Sequence, residues 1–187
     1  MQGESSAALA PTKSRYRALL DASSALADQP TVKAVLHSLR DVLSTTCKIH
    51  GAHLWVVSGD GKSLQVLAFD READAPAIKP GTTISCVGSA ARVLEEQQPV
   101  FVPDVSEEMF KIPELAPFAP DSVGRSTYAL PVSTSHQRYG VLYVTKERGQ
   151  EFAPEDVELL RSLASHVAVA LECALARKAQ SCTSNKS

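Results

Sequence analysis

Residues 125–158 read R-S-T-Y-A-L-P-V-S-T-S-H-Q-R-Y-G-V-L-Y-V-T-K-E-R-G-Q-E-F-A-P-E-D-V-E, and this stretch decides how the chain folds. Ser126 to Val132 and Tyr139 to Thr145 are rich in Tyr, Val and Leu, while the residues between them are polar. That pattern predicts a β-hairpin with a longer loop. Phe152 and Pro154 then open a long helix. Pro154 stands in its first turn, where a missing N–H costs nothing, and Glu155 and Asp156 lie near the positive end of the helix dipole. Leu160, Leu163, Ala164, Val167, Ala170, Leu171, Ala174 and Leu175 form its apolar side, and Arg177 and Lys178 sit at its C-terminal end.

Moving toward the N-terminus, four prolines (Pro103, Pro113, Pro117 and Pro120) are interspersed with Met109, Phe110, Ile112, Leu115 and Phe118. A long apolar loop of this kind either forms a lid over the sheet or plugs one edge of the core, with a short helix at Glu107 to Lys111. Before it, Val100 to Val102 reads as a short strand. Val87, Ala90, Ala91, Val93 and Leu94 give a central helix an apolar side, with Ser85 as its expected cap and Pro99 as its end. Thr82 to Ser85 is another short strand. Ala52 to Val57 and Ser63 to Phe69 flank S-G-D-G-K and predict a first hairpin. Val32, Val35, Leu36, Leu39, Val42, Leu43 and Cys47 recur every three or four residues, an amphipathic helix starting at Thr31. A preceding helix carries Tyr16, Leu19, Leu20, Ser23, Leu26 and Ala27 on one face. The expected organisation is a tail at 1–12, one domain at 13–178 and a second tail at 179–187, both tails disordered.

Composition narrows the function classes. With 187 residues and 44% hydrophobic content, the chain can bury one sizeable core. Its net charge of -2, with Lys and Arg scattered, provides no basic face for a nucleic acid backbone. The N-terminus lacks a signal pattern, and no window reads as a membrane span, so the expectation is a soluble cytoplasmic chain without membrane or nucleic acid partners. Cys47, Cys86, Cys173 and Cys182 have neither C-x-x-C nor zinc-type spacing. Cys47 with His50, at the end of a predicted helix, is better read as a buried Cys beside a boundary His. No metal and no cofactor is expected.

The order of elements gives an α+β chain with an antiparallel sheet covered on both faces. It resembles the GAF domain, whose last hairpin carries R-S-x-x-A-x-P-L answered by G-V-L, followed by F and a D/E pair. The resemblance covers roughly residues 14–178. It implies a sheet of about six strands, with terminal helices on one face and a central helix and lid enclosing a ligand space on the other. Within the family, P-V-F-V-P-D-V, R-S-T-Y-A-L-P-V and F-A-P-E-D-V-E-L-L are most similar to the GAF sensory domains of enhancer-dependent transcriptional activators, of the formate hydrogenlyase activator type. That similarity implies a signal-input module with a downstream output domain such as an ATPase module.

Specific family chemistries can be compared with the residues present. The cyclic-nucleotide signature N-K, F, D-E is met here by Thr145-Lys146, Phe152 and Asp156-Val157, so the Asn and the final Glu are missing. Lys146 and Asp156 are therefore expected to brace sheet and helix rather than hold a ligand. Free methionine sulfoxide reductases need a thiolate and a resolving Cys. Cys86 is in the right region, but Val87 separates it from Gly88 and residues 103–124 contain no Cys. The same absence argues against bilin attachment, and His53 is the one strand His suited to a haem.

The leading expectation is a noncovalent small molecule, with no catalytic residue. Candidate binding residues are Ser85 and Ser89 at the central helix N-terminus, Cys86 beside them, His53, Trp55 and Phe110 as apolar or aromatic walls, Arg125 as a carboxylate partner, and Ser126 and Tyr128 on the hairpin. Trp55 and Tyr128 serve equally well as core aromatics. A homodimer through the terminal helices is expected, using an alanine face of Ala164, Ala168, Ala170, Ala174 and Ala176. The alternative is a ligand-free dimerisation or interaction domain whose pocket is filled by Trp55, Phe110, Phe118 and Tyr128; a reductase-like enzyme comes third.

Overall fold

The computed structural model describes residues 49–59, 61–70 and 78–184, together with Ala34, Val35, His37, Ser38, Leu39, Asp41 and Leu43. The N-terminal tail, the first predicted helix, the Thr31 cap, Cys47 and the last three residues lie outside the described residues.

Six strands, β1 (Ile49–Val57), β2 (Ser63–Asp70), β3 (Thr83–Ser85), β4 (Val100–Val102), β5 (Thr127–Ser133) and β6 (Arg138–Lys146), form one sheet in the order β3-β2-β1-β6-β5-β4. Every neighbouring pair is antiparallel. Between the strands run α1 (Gly88–Glu96) and the short α2 (Val105–Met109), and the chain closes with α3 (Pro154–Ser184).

Both faces of the sheet are apolar because alternate residues of each strand enter one of two cores. On the helix face, Leu54, Leu130, Leu142 and Val144 meet Leu160, Leu163, Val167 and Leu171 of α3 and Val35, Leu39 and Leu43 of the N-terminal helical residues. On the lid face, Trp55, Leu64, Val66, Ala129 and Val141 meet Ala90 and Val93 of α1 and Ile112 and Leu115 of the following loop. Each buried Leu or Val contributes about 1.5–3 kcal/mol, which makes these two layers the main source of stability.

The sheet and α3 are joined by a buried ion pair. Lys146 Nζ donates to Asp156 Oδ2 at 2.9 Å, with 7% and 5% of the two side chains exposed. The same Oδ2 accepts from the Ala153 N–H at 3.1 Å, so Asp156 also closes the start of α3. Phe152 lies under the ammonium, 5.2 Å from it, and meets Tyr128 edge-on at 4.9 Å. Lys146 and Asp156 thus brace the fold, as their sequence context implied.

Several sequence expectations change. Helical backbone continues to Ser184 rather than ending at Lys178, because Lys178, Ala179 and Gln180 are good helix formers with no breaker among them. Ala164, Ala168 and Ala170 are buried against the sheet, so they cannot form the exposed face assigned to them; Val169 and Leu175 are exposed instead. The stretch Pro154–Arg177 is long and apolar enough to cross a membrane by length and composition, contrary to expectation. Its apolarity is accounted for by the leucines that pack on the sheet. His50 lies in β1 and not at a helix end.

Candidate functional site

The proline-rich segment after β4 folds back over the lid face. Asp104 starts it: its Oδ1 accepts from the Ser106 N–H at 3.0 Å and from the Ser106 hydroxyl at 2.7 Å, capping α2. Its other oxygen accepts from the Gly124 N–H at 3.1 Å, tying the beginning of the segment to its end. The Ser106 hydroxyl is the main reason that the Asp104 carboxyl is held below its usual value. Two 3₁₀ turns, Ala116–Phe118 and Pro120–Ser122, complete the lid, each with a proline that supplies the required φ.

Under this lid lies a cavity of about 100 Å³. Its walls are Trp55 and Ile84 from the sheet, Ala90 from α1, and Met109, Ile112, Leu115 and Phe118 from the lid. Two polar groupings interrupt the apolar lining.

The first lies where lid meets central helix. α1 begins without a side-chain cap of its own, since its N-cap position is Val87. Glu108 of α2 takes over that role. Its Oε1 accepts from the Ser89 N–H at 3.1 Å and its Oε2 from the Ser89 hydroxyl at 2.5 Å. Because the Ser89 proton is committed to Glu108, the Tyr143 hydroxyl, 3.3 Å away, donates to Ser89 Oγ. Burial, with the Glu108 charge nearby, pushes the Tyr143 phenol far up and keeps it protonated.

The second grouping sits where β1 and β5 begin and β6 ends. Ile49 pairs with Lys146 and Gly51 with Thr145, so His50 is the extra residue of a bulge that aims its ring toward the cavity. Arg125 Nη1 donates to His50 Nε2 at 2.8 Å. Nε2 is therefore the acceptor, and Nδ1 carries the proton donated to Glu147 Oε1 at 3.2 Å. Arg125 Nε is shielded from solvent and has no hydrogen-bond partner. Thr145 donates its hydroxyl to Thr127 Oγ1, and Thr127 donates to the Val144 carbonyl.

The family model described as GAF domain matches residues 29–172. The chain belongs to the GAF domain family. Among solved structures, it is similar to the GAF domain of a phosphoenolpyruvate-protein phosphotransferase (ptsP) from Coxiella burnetii, at 16% identity and TM-score 0.71, covering 88% of this chain and 96% of that one. The free methionine-R-sulfoxide reductase of Neisseria meningitidis, solved with its substrate, matches at 22% identity and TM-score 0.65, covering 88% and 91%. The A. aeolicus nlh2 GAF domain, in an inactive state, matches at 11% identity and TM-score 0.64, covering 87% and 98%. These likenesses establish the fold. Comparison with curated proteins finds no match.

Within this GAF domain the residues singled out from sequence separate into two groups. His53, Trp55 and Arg125 line the cavity. Ser89 is buried behind it, held by Glu108 and Tyr143, both of which line it. Cys86 packs against the lid-face core, and burial pushes its thiol up. Ser85 is exposed and does not cap α1, because Cys86 and Val87 stand between it and the helix. Phe110 turns outward with 57% of its surface exposed. Tyr128 lies on the helix face against Phe101 and Phe152, and the Ser126 hydroxyl donates to the Gln150 carbonyl. Consequently Phe110 and Tyr128 do not fill the pocket.

Glu108, Tyr143, His50, Thr127 and Thr145 are site residues that the sequence reading passed over. A signal for three of them was present: Gly51, His53 and Trp55 share strand parity, as do Thr145, Tyr143 and Val141, with Thr127 and Ala129 opposite. Glu108 had no such signal, since a five-residue helix in a loop has no usable periodicity.

Proposed function

We propose that this GAF domain is a small-molecule-sensing regulatory module, the signal-input part of a cytoplasmic transcriptional regulator or other signalling protein, with its output in an adjoining domain. The observation that carries this reading is the lidded cavity of about 100 Å³, mostly apolar with a few convergent polar groups, the usual build of a small-ligand site. Ligand would bind between lid and sheet and favour the closed lid. The sheet would pass that bias to α3, which packs on its opposite face; couplings of this kind are typically about 1–3 kcal/mol. The enhancer-dependent activator type is the context favoured by residues 99–105, 125–132 and 152–160.

A non-catalytic role is supported by Cys86, whose thiol is raised by burial and so is poorly nucleophilic. A homodimer through the outer face of α3 is supported by Val169 and Leu175, exposed at 53% and 47%. Light scattering of Val169→Glu tests that contact.

Trp55 is the sole Trp of the chain and lines the cavity, so its emission reports occupancy directly. Thermal unfolding and Trp55 fluorescence against a metabolite panel form the test. A saturable change in emission with a rise in Tm identifies a sensor; a flat panel with an unchanged dimer favours a ligand-free interaction domain.

A further inference from the structure

We propose that the natural ligand is a small monocarboxylate with a compact apolar body, its carboxylate held by Arg125. The inference rests on the reading of the cavity as a ligand site and adds the chemistry of what enters it.

The Arg125 guanidinium is incompletely paired. Arg125 Nη1 is committed to His50, and His50 is in turn fixed by Glu147. Arg125 Nε is buried without a partner, the one such side-chain atom among the described residues. Nε–H and Nη2–H share an edge of the guanidinium, the edge that takes the two oxygens of a carboxylate side by side. No carboxylate among the described residues is within ion-pair distance of Arg125; Glu147 reaches His50 instead. A buried cationic donor left unsatisfied is costly, and a bound anion removes that cost.

The rest of the lining sets the charge and size. Thr145 has committed its hydroxyl proton to Thr127 Oγ1, and Thr127 its own to the Val144 carbonyl, so they add no donor for an anion. One guanidinium suits one negative charge. Glu108 also lines the cavity and repels a second. Away from Arg125 the apolar part of the wall is Trp55, Ile84, Met109, Ile112, Leu115 and Phe118, which leaves space for a short aliphatic body. At about 100 Å³ the cavity suits roughly four or five non-hydrogen atoms, judged against the ~150 Å³ apolar cavity that holds benzene.

The test is a titration of the full chain with propanoate, its neutral analogue 1-propanol, and inorganic phosphate, read by Trp55 emission. The acid is expected to bind saturably, and Arg125→Gln is expected to weaken it by about tenfold to a hundredfold while leaving the alcohol unchanged. In the unaltered protein, the Arg125 Nε–H resonance should move with the acid and not with the alcohol, which serves equally if the variant fails to fold. Equal affinity for acid and alcohol, insensitive to Arg125→Gln and with a static Nε–H, overturns the carboxylate assignment and leaves the sensor reading standing. Saturation by phosphate in place of the acid also overturns it. Silence toward all three overturns the assignment, and a flat response to the wider panel then removes the sensor reading as well.

Discussion

Glu108 grips Ser89 with both carboxylate oxygens, one on the backbone N–H at 3.1 Å and one on the hydroxyl at 2.5 Å. A single side chain therefore caps the central helix and fastens the lid to it. Gly88 is fitted to this contact: it adopts a φ of +61°, and a Cβ there would stand 3.3 Å from the carboxyl group. Glu108→Ala should cost about 1–3 kcal/mol, the range for charge-assisted hydrogen bonds lost from a half-buried site. Hydrogen exchange locates the effect. Amides of residues 105–122 should exchange faster while those of β1 and β6 keep their protection; uniform acceleration throughout the sheet would show that Glu108 is not a lid fastener.

Lys146 and Asp156 lie almost wholly out of solvent, so removing either one strands the other as a buried charge. Lys146→Met should destabilise by about 3–5 kcal/mol in urea unfolding. The double variant Lys146→Met with Asp156→Leu should recover much of that loss, less about 1 kcal/mol for the cap that Asp156 gives Ala153. A double variant as unstable as the sum of its parts would mean that the pair is not coupled as the geometry requires.

Asp104 gives the lid an acid limit. Its carboxyl is lowered from the ordinary 3.8, chiefly by the Ser106 hydroxyl and further by the N–H groups of Gly124 and Ser106 and the charge of Arg148, with burial opposing. A folded value below the unfolded one favours the ionised form on folding. The contribution is therefore full above about pH 4 and is lost as pH falls through the lower folded value. Asp104→Asn should flatten the dependence of stability on pH below about 4, measured by urea midpoints across that range. Parallel curves for the two proteins would exclude Asp104 as the source.

The hairpin 125–146, the α3 start and both cores could be read from sequence because burial on two faces writes near-continuous apolar strands, and Pro154 with Glu155 and Asp156 writes a helix start. The site was harder to read. Ser126 and Tyr128 carry suitable chemistry but the wrong parity, and one residue of offset puts a strand side chain on the opposite face; Arg125, Thr127 and Ala129 face the cavity side instead. Glu108 escaped because its partner Ser89 is 19 residues away, and no local pattern encodes such a contact. His50 depends on a bulge between Ile49 and Gly51, a register change that appears only once β6 is laid beside β1.

Gly140 is the point where β6 comes too near β1 for any side chain. A Cβ there would lie 1.9 Å from the Trp55 carbonyl oxygen and 2.9 Å from Val56 Cα. Both are backbone atoms of a paired strand and cannot rotate aside, and Val56 stands opposite Gly140 in the ladder. Gly140→Ala must therefore push β1 and β6 apart along the wall that carries Trp55. We expect a loss of more than about 3 kcal/mol, the scale of overpacking in a core that cannot relax. Trp55 emission should shift to the red as water reaches the indole. Gly59→Ala is the control, because nothing lies within 4 Å of a Cβ at that position and surface changes usually stay within about 0.5 kcal/mol. Equal urea midpoints for the two variants would mean that the strands separate freely at Gly140 and that the cavity wall is softer than its packing indicates.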